Sequence, residues 1–178
     1  TEEERARETL DRLNKHSKEL VDRVREKLKR LVEHSRELLR RVDRKHKESE
    51  KRVREVSRRG ADSKTMREIE KDNDRTNKEI KERLDRHKKK LDEILEEIRD
   101  ELRRHKEKLD RILERLAENN VKTDEIERRV ERNKREIDKV LKELEERVRT
   151  NKDEIDKALE KLKRLSEEIK RKMREDET

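Results

Sequence analysis

Residues 16 to 24, HSKELVDRV, return as HSRELLRRV at 34 to 42, and this interval of 18 residues sets the geometry of the whole chain. Five turns of an α-helix at 3.6 residues per turn take the same 18 residues. A sustained heptad would impose a left-handed supercoil and an 11-residue repeat a right-handed one, so this period predicts nearly untwisted helices. The interval recurs twice more. RHKKKLDEILEEI at 86 to 98 is followed by RHKEKLDRILERL at 104 to 116, and RNKREIDKVLKEL at 132 to 144 by TNKDEIDKALEKL at 150 to 162. Within the first segment the apolar positions Ala6, Leu10, Leu13, Leu20, Val24 and Leu28 begin a stripe that closes on Val53 and Val56, with Ser17, Ser35, His46 and Ser49 interrupting it. A stripe of this period is one face of an amphipathic helix.

Three such segments are separated by clear breaks. Gly60 follows the last periodic residue of the first, as a glycine past a helix C-terminus does, and Asp62 or Ser63 is placed to cap the next helix. Asn119 and Asn120 end the second segment, and Thr123 with Asp124 and Glu125 reads as a cap with an acidic first turn. Thr1 and Glu4 fit a capping box. The expectation is a single domain over residues 1–178, with helices over about 2–59, 63–118 and 124–176. Each would be roughly 84 Å long. Short loops make neighbours antiparallel. The fold class read from the pattern is therefore all-α, an elongated up-down-up antiparallel three-helix bundle. Val21, Val32, Leu39, Leu95, Leu113, Leu141, Leu159 and Leu165 widen the stripes to suit two partner helices each, and no second stripe remains on the outer faces. A monomer is expected.

Composition alone argues less clearly, because 61% of the residues are charged, 25% are apolar and none is Phe, Trp or Tyr. Such numbers usually accompany disorder. Here 58 basic and 50 acidic residues nearly balance, and the Glu, Lys and Arg that fill the surface positions are strong helix formers. Pro and Cys are absent, which excludes disulfides and thiolate metal sites. No apolar run exceeds two residues, so neither a membrane span nor a signal-peptide core is expected.

The polar residues inside the stripes are the candidate functional ones. Folding the second segment back about Gly60 brings Ser17 opposite His105, Ser35 opposite His87, His46 opposite Thr76 and Ser49 opposite Asn73. Folding the third about residues 120 to 122 adds Ser166 to the level of His46 and Thr76. It sets Asn133 and Asn151 about one turn from His105 and His87, an offset within the error of an assumed loop. Buried hydroxyl, amide and imidazole groups cost about 1–3 kcal/mol each when unsatisfied and roughly break even when they bond one another. Layers of this kind penalise wrong registers more than they stabilise the right one.

Alternative chemistries fit poorly. Zinc needs three or four convergent ligands, and each layer offers one His beside Ser and Asn. Asp43 and His46 come nearest to the Glu-x-x-His pattern of di-metal bundles, but Asp43 lies on the outer face. A Ser–His nucleophile would lack a carboxylate orienter and an oxyanion hole. No catalytic, cofactor or metal residue is assigned. The stretch from Arg36 to Arg59 holds 11 basic and 5 acidic residues, which suits non-specific polyanion contact at most, since no aromatic is available to stack on bases. No membrane or protein partner is expected, and the chain reads as soluble, cytoplasmic in recombinant expression.

The 18-residue period, the Glu/Lys/Arg outer faces, the short loops and the periodic Ser, His and Asn layers together resemble de novo designed, parametrically generated helical bundles with buried hydrogen-bond networks. Natural spectrin-like three-helix repeats differ in using heptads and core aromatics. The resemblance implies a scaffold with no evolved function. Two other readings are a bundle that loosens in acid through its buried histidines and a weak polyanion-binding rod.

Overall fold

The protein is all-α, three long helices packed together as a bundle. The computed structural model describes residues 1–60 and 63–177, the side chains of residues 176 and 177 excepted. Helix α1 spans Glu2–Arg58, α2 spans Ser63–Glu118 and α3 spans Asp124–Glu177. Among the described residues no helix is long and apolar enough to cross a membrane.

Local chemistry accounts for the helix ends. At the start of α1 the Thr1 hydroxyl accepts the Glu4 backbone N–H at 3.3 Å, while the Glu4 carboxylate lies 3.5 Å from the terminal ammonium, a reciprocal capping box. Gly60 ends α1 with φ 63°, and its N–H donates to the Ser57 carbonyl. Asn120 takes the same left-handed conformation after α2, with φ 55°. Its N–H donates to the Ala117 carbonyl at 3.1 Å and that of Val121 to the Leu116 carbonyl at 2.9 Å, the paired bonds of a Schellman termination. Asn is the residue after Gly that tolerates this conformation most readily. At the start of α3 the Thr123 carbonyl accepts the Glu127 N–H, which makes Thr123 the cap residue, yet its buried hydroxyl has no hydrogen-bond partner. Of the two caps expected for α2, Ser63 is the first helical residue and Asp62 lies outside the described residues, as does Ala61.

Two compact units divide the chain, the first made of Thr1–Arg30 with Leu91–Arg149 and the second of Leu31–Lys90 with Thr150–Thr178. All three helices contribute to both. In the first unit Leu10, Leu28, Leu102, Leu109, Ile126 and Leu144 are almost fully buried; in the second Leu84 and Ile155 are. Every position of the apolar stripes is buried or half-buried, and among the described residues no large hydrophobic is exposed.

Ion pairs record the register within each unit. Helices α1 and α3 run parallel, joined in the first unit by Arg7–Glu125, Asp11–Arg129 and Arg25–Glu143, each 118 residues apart. The second unit repeats that separation in Arg36–Glu154 and Asp43–Lys161. Helix α2 runs antiparallel to α3, as Arg99–Glu145, Lys106–Asp138 and Asp110–Lys134 show in the first unit and Asp74–Lys170 and Lys88–Asp156 in the second. These pairs are mostly exposed, so each contributes about 0.2–1 kcal/mol and their number says little about stability.

Candidate functional site

Ser35, His87 and Asn151 form the best-defined polar cluster, one residue from each helix of the second unit. Ser35 is fully buried, Asn151 is 2% exposed and His87 is 3% exposed. The Asn151 amide donates from Nδ2 to Ser35 Oγ at 2.8 Å, and the Ser35 hydroxyl donates in turn to the Val32 carbonyl at 3.2 Å. Asn151 also approaches the Glu154 carboxylate at 3.5 Å. His87 stands beside this chain without closing it. The Asn151 side chain acts on the ring's titration, but His87 Nε2 and Asn151 Oδ1 both remain buried without a hydrogen bond of good geometry.

The imidazole is held neutral. Burial lowers the His87 pKa below its ordinary 6.5, and the neighbouring His34 lowers it further, its ring centroid 5.9 Å away; Asn151 and the Leu31 carbonyl act in the opposite sense, and Lys90 adds to the lowering. Replacing His34 with Gln removes the like charge, so His87 should titrate at higher pH in a ring-resolved NMR titration. An unchanged titration would leave burial and Lys90 as the causes of the lowering.

One repeat away, in the first unit, the same three residue types recur as Ser17, His105 and Asn133, but they are joined differently. His105 is 4% exposed, its pKa lowered by burial first and then by His16 and Lys108, and its Nε2 has no partner. Asn133 turns to α1 and donates from Nδ2 to Asn14 Oδ1. Ser17 makes no side-chain hydrogen bond among the described residues. Asn14 was not singled out by the stripe, yet the repeat marks it: stepping by 18 residues leads from Asn14 to Val32, a polar side chain where the next unit has an apolar one.

The remaining polar positions lie in the third repeat, within the second unit. Ser49 Oγ donates to Asn73 Oδ1 at 3.5 Å, joining the expected pair at the limit of a hydrogen bond. His46 Nε2 lies 3.1 Å from Glu50 on its own helix. Thr76 and Ser166 are half-buried and make no side-chain hydrogen bond among the described residues, so the structure does not link them to His46 by such a bond. Stepping by 18 from the Ser–His–Asn layers reaches Val53, Ile69 and Ile169 instead, and these pack with Met66 and Met173 in one apolar cluster. The third repeat thus exchanges its polar and apolar levels. Among the described residues no group of three or more His, Cys, Asp or Glu side chains is placed to hold a metal ion.

No protein-family model matches the chain, and no curated protein is similar to it. One solved structure that it matches is described as a computationally designed three helix bundle, at 19% identity and a TM-score of 0.39, over 97% of this chain and 86% of that one. A likeness at that level carries nothing beyond the match itself.

Proposed function

We propose that the chain is a designed structural scaffold, a monomer that catalyses no reaction, and that its buried polar residues serve to fix helix register. The observation that carries this reading is the exchange of levels between repeats. A helix built on an 18-residue repeat preserves its facing when slipped by one repeat, so a chain of identical repeats would have several registers of nearly equal energy. Setting Ser35, His87 and Asn151 at a level that is Val53, Ile69 and Ile169 one repeat later makes such a slip bury a polar group against an apolar one. Each mismatch costs about 1–3 kcal/mol.

The test copies the chain's own apolar layer into the polar one. The variant Ser35→Val, His87→Ile, Asn151→Ile should be more stable, by about 1–4 kcal/mol, because partly satisfied buried polar groups are removed. It should also lose uniqueness. Light scattering of the parent should give one species near 22.1 kDa, while the variant should populate larger assemblies or show doubled amide resonances. A variant that stays a single, sharply resolved species would remove the register role.

A second reading, an acid-responsive bundle, is favoured by a specific pattern: each buried histidine has a second histidine beside it, His34 at His87 and His16 at His105. The polyanion reading is weaker, since Arg36, Arg40, Arg44, Arg52 and Arg54 each already lie within 4 Å of a carboxylate.

A further inference from the structure

Where the start of α1 lies against the end of α2, in the first unit, the chain departs from its own repeat on both helices at once. Ala6 stands where the next two repeats of α1 have Val24 and Val42, and Glu2 where Leu20 follows one repeat later. On α2, Arg111 and Arg115 take the places that Glu93 and Glu97 hold one repeat earlier. The structure gathers these positions around one cavity of about 250 Å³, with Ala6, Leu13, Ile112 and Leu116 as its apolar lining. Alanine in place of valine accounts for much of the space, because the valine methyls that would fill it are missing. An apolar cavity of about 150 Å³ already admits benzene and stays dry, so this one has room for a short alkyl chain.

The rim carries charge of one sign. Arg5, Lys108, Arg111 and Arg115 line it against a single carboxylate, Glu2. Ion pairing leaves that excess in place. Arg5 at 3.7 Å and Arg115 at 3.3 Å both use Glu2, while Lys108 and Arg111 lie within 4 Å of no carboxylate among the described residues. The C-terminus of α2 accounts for Arg115, which sits in the last turn, but not for Lys108 and Arg111 further in. These cations are exposed, so each alone holds an anion weakly. The apolar lining beneath them supplies what charge does not, since each methylene buried there tightens binding about fourfold. A concave apolar surface with a few polar groups at one side is the general form of a small-molecule site.

We propose that this cavity binds a single-chain anionic amphiphile, a medium-chain fatty carboxylate, with its alkyl group against Ala6, Leu13, Ile112 and Leu116 and its headgroup between Lys108 and Arg111. Ala6 makes the room for the chain, and the exchange of Glu93 for Arg111 one repeat later selects the sign of the headgroup. The site goes beyond the scaffold reading and is independent of it, because a register role requires no ligand.

The test is a methyl-resolved NMR titration of the full chain at neutral pH and constant ionic strength, with hexanoate and octanoate below their micelle concentrations. Octylammonium and 1-octanol serve as the cationic and uncharged arms. The Ile112 methyls should move along a saturable curve while those of Ile94, its equivalent one repeat earlier, stay in place. Octanoate should bind tighter than hexanoate by about fourfold per methylene. Octanol should bind more weakly than octanoate, and octylammonium should not saturate. Ala6→Val, which restores the residue of the other repeats, should remove binding and leave the urea midpoint unchanged or raised. Arg111→Glu should weaken octanoate about tenfold, the effect of one charge-assisted contact, and leave octanol as in the parent. Absence of saturation by octanoate, equal drift of Ile94 and Ile112, octylammonium or octanol binding as tightly as octanoate, or an Ala6→Val variant that binds as the parent does would each overturn the proposal.

Discussion

Acidification from about pH 7.5 to about pH 5.5 is expected to lower the stability of the fold, with no change above about pH 7. His87 and His105 have folded pKa values below their ordinary 6.5, because each ring is buried and has a second histidine beside it. Above 6.5 both states hold the rings neutral, and stability is fully present. As the pH falls below that value the unfolded chain takes up protons that the folded chain refuses, and stability declines until the folded pKa is reached. Two such histidines give a slope of up to about 2.7 kcal/mol per pH unit within the window. Urea midpoints measured across it supply the test, and the window closes before carboxylate titration affects the surface ion pairs. Changing His87 and His105 to Ile, the residue the chain itself uses at position 69, should flatten the profile. A parent protein with equal midpoints at both ends, or a double variant with the parent's slope, would exclude the buried histidines as the acid-sensitive element.

The bundle was legible in the sequence because its determinant is local and periodic. An apolar stripe of period 3.6 states which face is buried, and Gly60 and Asn120 mark where the chain turns, since both positions require the left-handed conformation. The Ser35–Asn151 contact was legible to within one turn, because residue numbers along straight helices translate directly into levels. What could not be read was which partner each polar side chain takes. Asn133 and Asn151 occupy the same place in the repeat, but Asn133 bonds Asn14 and Asn151 bonds Ser35. That choice depends on a residue at the stripe's edge, three positions from Ser17, whose importance appears only when α3 is seen against it. His46 likewise finds Glu50 one turn away on its own helix rather than a bond across the core. Periodicity places a side chain at a level; hydrogen-bond geometry, set by rotamers over a few tenths of an ångström, selects its partner.

Truncating Leu109 to Ala in the first unit, or Leu84 to Ala in the second, should each lower stability by about 3–5 kcal/mol. Both side chains are fully buried. With no Phe, Trp or Tyr in the chain, Leu, Ile and Met are the largest apolar groups available, so a single leucine carries a large share of the local core. Its loss removes the transfer free energy of three carbons, at about 0.8 kcal/mol each, and leaves a cavity that rigid flanking helices close poorly. Breaking an exposed cross-helix ion pair such as Arg25–Glu143 should change stability by less than about 1 kcal/mol. Urea denaturation decides between these sources of stability, provided the slope with denaturant stays constant across the variants. If the leucine variants lost under about 1 kcal/mol while ion-pair variants lost more, the core would be loosely packed and the charged surface would hold the helices together. The burial pattern predicts the reverse order: a narrow apolar seam supplies the stability, its polar interruptions set the register, and the charges that make up most of the chain keep the outer faces in water.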